Sequence, residues 1–240
     1  MIDFALLVII ALVTWNVAAE GAWGAAAILL SVIFAGLFAM NFFEPLAGLL
    51  ESSPLGTDWS MRYDFISLMV LFGGAVFLLR LMSEKIAPGF IAVHSRLYDV
   101  CRFGFALMTG YITAAFLLAA LHTAPLHREF MGFTPERKNF FGFTAPDREW
   151  LGFVQYVSEK SMQSSESGRI FDGFEYKING HESNLIWPTY IMRYASRREA
   201  YAAATGGTPA ATTSGAAVAP GGGDQAPATL GGVRDRGSGL

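Results

Sequence analysis

Four long apolar runs crowd into the first half of this chain: Ile2–Ala19, Ala22–Phe43, Phe65–Met82 and Phe103–Leu121. Each reaches the ~20 residues that cross ~30 Å of hydrocarbon at 1.5 Å per residue, once the shorter runs borrow a few flanking positions. Inside a bilayer every backbone polar group must be bonded within its own segment, so runs of this length and composition fold as helices. Composition agrees: only 15% of the 240 residues are charged and the mean hydropathy is +0.38, where soluble domains carry roughly a quarter charged residues. The run after Asp3 lacks the basic stretch that opens a secretory leader, and a second apolar run follows almost at once. The expectation is therefore a retained first helix. The predicted fold class is an all-α membrane protein: four transmembrane helices over residues 1–122, then a small α+β extramembrane module over 123–203, then a disordered tail over 204–240.

Lys and Arg set the expected orientation, because cytoplasmic loops are enriched in them. The segment Glu44–Asp64 holds Glu44, Glu51, Asp58 and Asp64 against Arg62 alone, whereas the next connection carries Arg80, Lys85, Arg96 and Arg102. The second of these is predicted to lie inside the cell, which places everything after residue 122 outside the cytoplasm.

Ionisable residues within spans are functional candidates. Here they sit at span ends, where Asp3, Asp64, Arg80 and Arg96 are the candidate functional charges and long side chains can reach the headgroups. No mid-span carboxylate and no pair of broken helices marks a transport route, so a small-solute transporter or channel is a third reading. Small residues along the second run (Gly24, Ala25, Ala26, Ala27, Ser31, Ala35, Gly36, Ala39) favour close helix packing over a conduction path.

Ile2-Asp3 opens the first span, Gly21 sits in a very short turn and small residues line the second span. Asp64 enters the third, and Arg96 stands ahead of Phe103-Gly104 and Gly110 in the fourth. In these features the first half resembles the colicin V production protein family of bacterial inner-membrane proteins. The resemblance covers about residues 1–122. It implies a multi-span protein needed for toxin production or export and for envelope upkeep, with no catalytic residues to carry over.

In the second half a unit recurs at ten-residue spacing: Phe130-Met131-Gly132-Phe133, Phe140-Phe141-Gly142-Phe143 and Trp150-Leu151-Gly152-Phe153. Thr134-Pro135-Glu136 and Thr144-Ala145-Pro146-Asp147 follow the first two copies, and both resemble helix starts: a hydroxyl cap, Pro in the first turn and an acid nearby. The repeat is thus predicted to be punctuation, with Gly closing one helical turn and Thr opening the next. The third copy continues as a helix with Trp150, Phe153, Val154 and Val157 on one apolar face. That face is to be covered by a mini-domain of residues 170–200, by the membrane surface or by a partner. Phe130, Phe133, Phe140, Phe143, Trp150 and Phe153 are the candidate membrane-interface or partner contacts, since aromatic and basic residues gather at that interface. Beyond a polar stretch at Ser158–Gly168, Phe174–Ile178 alternates and Asn179-Gly180 signals a hairpin returning over His181–Trp187. A helix over Thr189–Ala203 follows.

Cys101 stands alone and excludes an internal disulfide or cysteine cluster. His94, His122, His127 and His181 read as lone surface histidines, and no Gly-x-Ser-x-Gly, HExxH or phosphate loop is present. In residues 123–200 ten basic side chains balance ten acidic ones, so no nucleic-acid arm is visible. The chain is expected to be non-enzymatic and to use no cofactor or metal. Its candidate partners are the lipid bilayer, other envelope or export proteins and a second copy of itself. The leading function is a non-catalytic accessory of toxin export or envelope maintenance in the inner membrane. The alternative is a membrane anchor presenting an extracytoplasmic interaction module.

Overall fold

In the computed structural model the described residues are 1–52, 60–86, 95–126, 130–133, 139–161, 171 and 190–204. They form helices α1 (Ile2–Ala19), α2 (Gly21–Glu51), α3 (Ser60–Ile86), α4 (Ser95–Leu121), α5 (Pro146–Tyr156) and α6 (Tyr190–Ala204), with a π-helical turn Val157–Ser161 extending α5. The first four are long and apolar enough to cross a membrane. The chain is thus a multi-pass helical membrane protein.

The helices overrun the apolar runs. α2 continues through Pro45 to Glu51, and α4 starts at Ser95, eight residues ahead of Phe103. Hydropathy marks which residues suit lipid, whereas helical hydrogen bonding propagates into polar flanks at little cost per residue.

Packing runs α1 against α4, α4 against α2 and α2 against α3. The two central helices bury about half of their apolar stretch within the protein, and α1 and α3 bury much less. Small residues explain the centre: Ala25, Ser31, Ala35, Gly36 and Ala39 on α2 and Ala106, Gly110, Ala115 and Ala119 on α4 are buried, letting backbones approach. Ser31, Thr109 and Thr113 return their hydroxyls to the carbonyl four residues back, which satisfies them without a partner helix.

The packing of successive helices sorts the charges by end. Glu20, Arg80, Glu84 and Arg102 lie at one end, where Arg80 pairs with Glu20 at 2.5 Å and with Glu84 at 3.1 Å and Arg102 bonds the Ala18 carbonyl. Asp3, Glu44 and Asp64 lie at the opposite end, where α6 bonds Glu44 and Asp64 and the Phe141 N–H bonds Asp3.

The segment after α4 differs from expectation. Among the described residues it holds no strand, only isolated bridges Phe130–Phe133 and Phe140–Thr144, so an α+β module is not supported. The predicted hairpin over Phe174–Trp187 and the tail from residue 205 lie outside the described residues. α5 and α6 pack their apolar faces into the core of the bundle: Trp150, Leu151, Val154, Tyr190 and Tyr194 share one cluster with Met40 and Phe43 of α2, Leu68 and Phe72 of α3 and Phe116 of α4. Residues Met1–Pro209 belong to one compact unit.

Candidate functional site

The aromatic repeat splits into two structures. In the first copy Met131 (φ 51°) and Gly132 (φ 89°) are both left-handed, and in the second Phe141 (φ 49°) and Gly142 (φ 74°) repeat the pattern. Each turn is closed by a backbone bond, Phe133 N–H to the Phe130 carbonyl at 2.8 Å and Phe143 N–H to the Phe140 carbonyl at 3.0 Å. Two successive positive φ values are the mark of a type I′ turn, so these copies reverse the chain; they do not close helical turns. Only the third copy is helical, within α5. Its first residue is Pro146 and its cap is Ala145, without a side-chain bond, so the expected Thr144 hydroxyl cap is not formed.

Asp147, in the first turn of α5, is hydrogen-bonded to His122, Nε2 to Oδ2 at 2.9 Å, with both side chains fully buried. His122 is therefore no surface residue. It stands one position beyond α4, its ring against Phe133 and near Tyr190. Burial holds its pKa below the ordinary 6.5, the Asp147 carboxylate opposes that shift, and the Arg198 and Arg148 charges add to it. With its pKa held below 6.5 the ring is neutral at pH 7, and Nε2 shares its hydrogen bond with the Asp147 carboxyl group. His122 Nδ1 and Asp147 Oδ1 make no hydrogen bond. Sequence spacing could not find this pair, because the two residues are 25 apart and each is unremarkable alone.

Around the pair α6 builds a polar collar. Arg193 reaches Glu44 of α2 at 2.6 Å, and Arg197 reaches Asp64 of α3 at 2.6 Å, with the Tyr194 hydroxyl 3.3 Å from the same carboxylate. The Tyr190 hydroxyl meets the Ala119 carbonyl at 3.3 Å, and burial pushes the Tyr190 and Tyr194 phenols up, so both are neutral donors. The buried Arg198 guanidinium lies 5.2 Å over the Phe133 ring. A small recess lined by Asp64, Thr123, Ala124, Pro125, Tyr194, Arg197 and Arg198 opens beside it. Chemically this collar fastens α6 across the ends of α2 and α3 and fixes a neutral His–carboxylate pair beneath it. Among the described residues no cluster of three His, Cys, Asp or Glu side chains suits a metal ion.

The predicted contacts divide accordingly. Phe133 and Trp150 are buried within the protein, Phe140 is half-buried, Phe130 and Phe153 are at the margin of exposure, and Phe143 is the most exposed of the six. Of the predicted charges, Asp3 accepts the Phe141 N–H at 2.6 Å and Asp64 is held by α6. Arg80 joins the opposite end, and Arg96 is exposed in the first turn of α4. Comparison with protein-family models, curated proteins and solved structures gives no match.

Proposed function

We propose that the chain is a non-catalytic accessory protein of a bacterial inner membrane, of the colicin V production kind, serving toxin export or envelope maintenance with residues 123–240 outside the cytoplasm. The observation that supports it best is the shared core: Trp150 and Tyr190 bury against α2 and α4. A module held out for a distant partner needs its apolar face closed within itself. Here that face is closed by the spans, so bundle and C-terminal helices act together as one body. The charges of α2, α3 and α6 at this end of the bundle pair as Glu44–Arg193 and Asp64–Arg197 at the helix ends, outside the middle of the spans, as suits a scaffold better than an ion path.

Deletion of the gene in its own host, with detergent sensitivity and toxin release as readouts, tests this reading. The expected result is increased sensitivity or lowered release, restored by the wild-type chain and not by Trp150→Ala at equal abundance. Unchanged phenotypes on deletion overturn the accessory role, and full restoration by residues 1–122 overturns the single working body.

A further inference from the structure

The twin left-handed turns are built in an expensive way. Type I′ turns ordinarily take Asn-Gly or Asp-Gly, because their first central residue must tolerate positive φ. Here Met131 and Phe141 occupy that position, and a bulky residue there is strained. Strain of this kind persists where the surroundings or a function hold it.

Neither strained side chain is used inside the protein core. Met131 is 54% exposed, Phe141 41% and the adjoining Phe143 81%. Both turns are tied to the opening of α1. Ile2 N–H bonds the Met131 carbonyl at 3.2 Å, Phe141 N–H bonds Asp3 Oδ1 at 2.6 Å, and the Phe141 ring stands edge-on to Phe4 with centroids 6.3 Å apart. Phe4, 71% exposed, belongs to the outward surface of a helix apolar enough to span the membrane. The turns therefore continue that lipid-facing surface at the level of its first residues.

We propose that Met131, Phe141 and Phe143 form an apolar wedge embedded in the headgroup–acyl boundary of the same bilayer that α1 spans, and that lipid is the partner of the repeat. Apolar side chains on a tethered segment at that depth insert below the headgroups. Insertion offsets the conformational cost of placing Met and Phe where Asn is usual. The repeat is then an anchor: two turns hold the start of α4's following segment against α1, while Phe133 and Phe140 face inward and the strained tips face lipid. The inference rests on α1 crossing the membrane and is independent of the accessory role.

The test uses the full chain in nanodiscs of phosphatidylethanolamine and phosphatidylglycerol, in a Cys101→Ser background. A nitroxide is placed singly by Phe143→Cys, by Met131→Cys in the other turn, and by Leu12→Cys on the lipid face of α1. Collisions with dissolved oxygen report lipid, and those with a water-soluble nickel chelate report solvent. The expected outcome is an oxygen-dominated signal at 143 and 131, shifted in the same direction as at 12. A nickel-dominated signal at 143 and 131 overturns the wedge while 12 remains oxygen-dominated. Loss of both collisions also overturns it, assigning the tips to a protein contact. A nickel-dominated signal at 12 shows instead that the span reading of α1 has failed, and the wedge with it.

Discussion

Trp150 occupies the space that a side chain on Gly36 would need: a Cβ there would lie 2.5 Å from Cζ2 and 2.8 Å from Cη2 of the indole. The same ring stands edge-on to Phe116 of α4 at 6.1 Å, and Phe116 stacks on Phe72 of α3 at 3.9 Å. One glycine on the central helix thus admits the anchor of α5 and links it to two other spans.

Overpacking and truncation at this contact have opposite causes and the same direction. Gly36→Ala gains about 1 kcal/mol of helix propensity but forces a rigid indole aside, at a cost of about 1–3 kcal/mol; a net loss of about 1 kcal/mol is expected. Trp150→Ala leaves a cavity and costs about 3–5 kcal/mol. Combined, they are non-additive, because without the indole the alanine has room. Denaturation in detergent micelles followed by near-ultraviolet circular dichroism reads all three variants. Additive losses would show that the ring does not sit over Gly36.

The His122–Asp147 pair makes stability depend on pH. His122 has its folded pKa lowered by burial, below the unfolded value of 6.5. Above that value both states are neutral and the histidine contribution is fully present. As pH falls below it, the unfolded chain takes up a proton that the folded chain refuses, and stability drops by at most about 1.4 kcal/mol per pH unit for one proton. The decline ends at the folded pKa. His122→Gln, which still offers an N–H to Asp147, flattens this part of the curve. His122→Ala leaves the buried Asp147 carboxyl group without its hydrogen-bond partner and costs about 1–3 kcal/mol at pH 7. Midpoints measured from pH 7.5 down to pH 4.5 decide it, and an unchanged slope in His122→Gln assigns the pH dependence to other groups.

The spans and their number are legible because lipid imposes one requirement on some twenty consecutive residues, and α1 begins and ends where its apolar run does. The small residues of α2 also read correctly as packing surface. The seat of Trp150 does not: the sequence shows an apolar face on α5, and only the structure shows that Gly36 and Phe116 cover it. The repeat misleads for a physical reason. An apolar–Gly pair is compatible with a helix end, a helix interior and a left-handed turn, and one unit written three times adopts both a turn and a helix. His122 and Asp147 were invisible because burial is set by tertiary packing between segments 25 residues apart.

At the other end of the bundle the Arg80 pairs are exposed, and exposed ion pairs contribute little. Arg80→Ala is expected to lower stability by less than about 1 kcal/mol, and Glu20→Ala likewise. Proteoliposomes carrying Arg80→Ala also test the transport alternative: ion or solute flux present in the wild type and abolished in the variant would support a conduction role for this charge, against the scaffold reading. A stability loss well above 1 kcal/mol would mean that the guanidinium stem, lying along the helix ends, packs more than it pairs.

The distribution of Lys and Arg predicts a sidedness that labelling tests. Two single-cysteine variants in the Cys101→Ser background suffice, Lys160→Cys after α5 and Arg96→Cys in the first turn of α4, both at exposed positions. Intact cells stripped of any outer barrier are treated with a membrane-impermeant maleimide. The expected pattern is labelling at 160 with protection at 96 until lysis, because the excess of Arg80, Lys85, Arg96 and Arg102 predicts a cytoplasmic position for that end. The reverse pattern would place α5 and α6 in the cytoplasm, and the polar collar of Arg193, Arg197, Glu44 and Asp64 would then face cytosolic partners. Labelling at both positions would break the four-span topology itself, since an even number of crossings separates 160 from 96 only if α4 does not span.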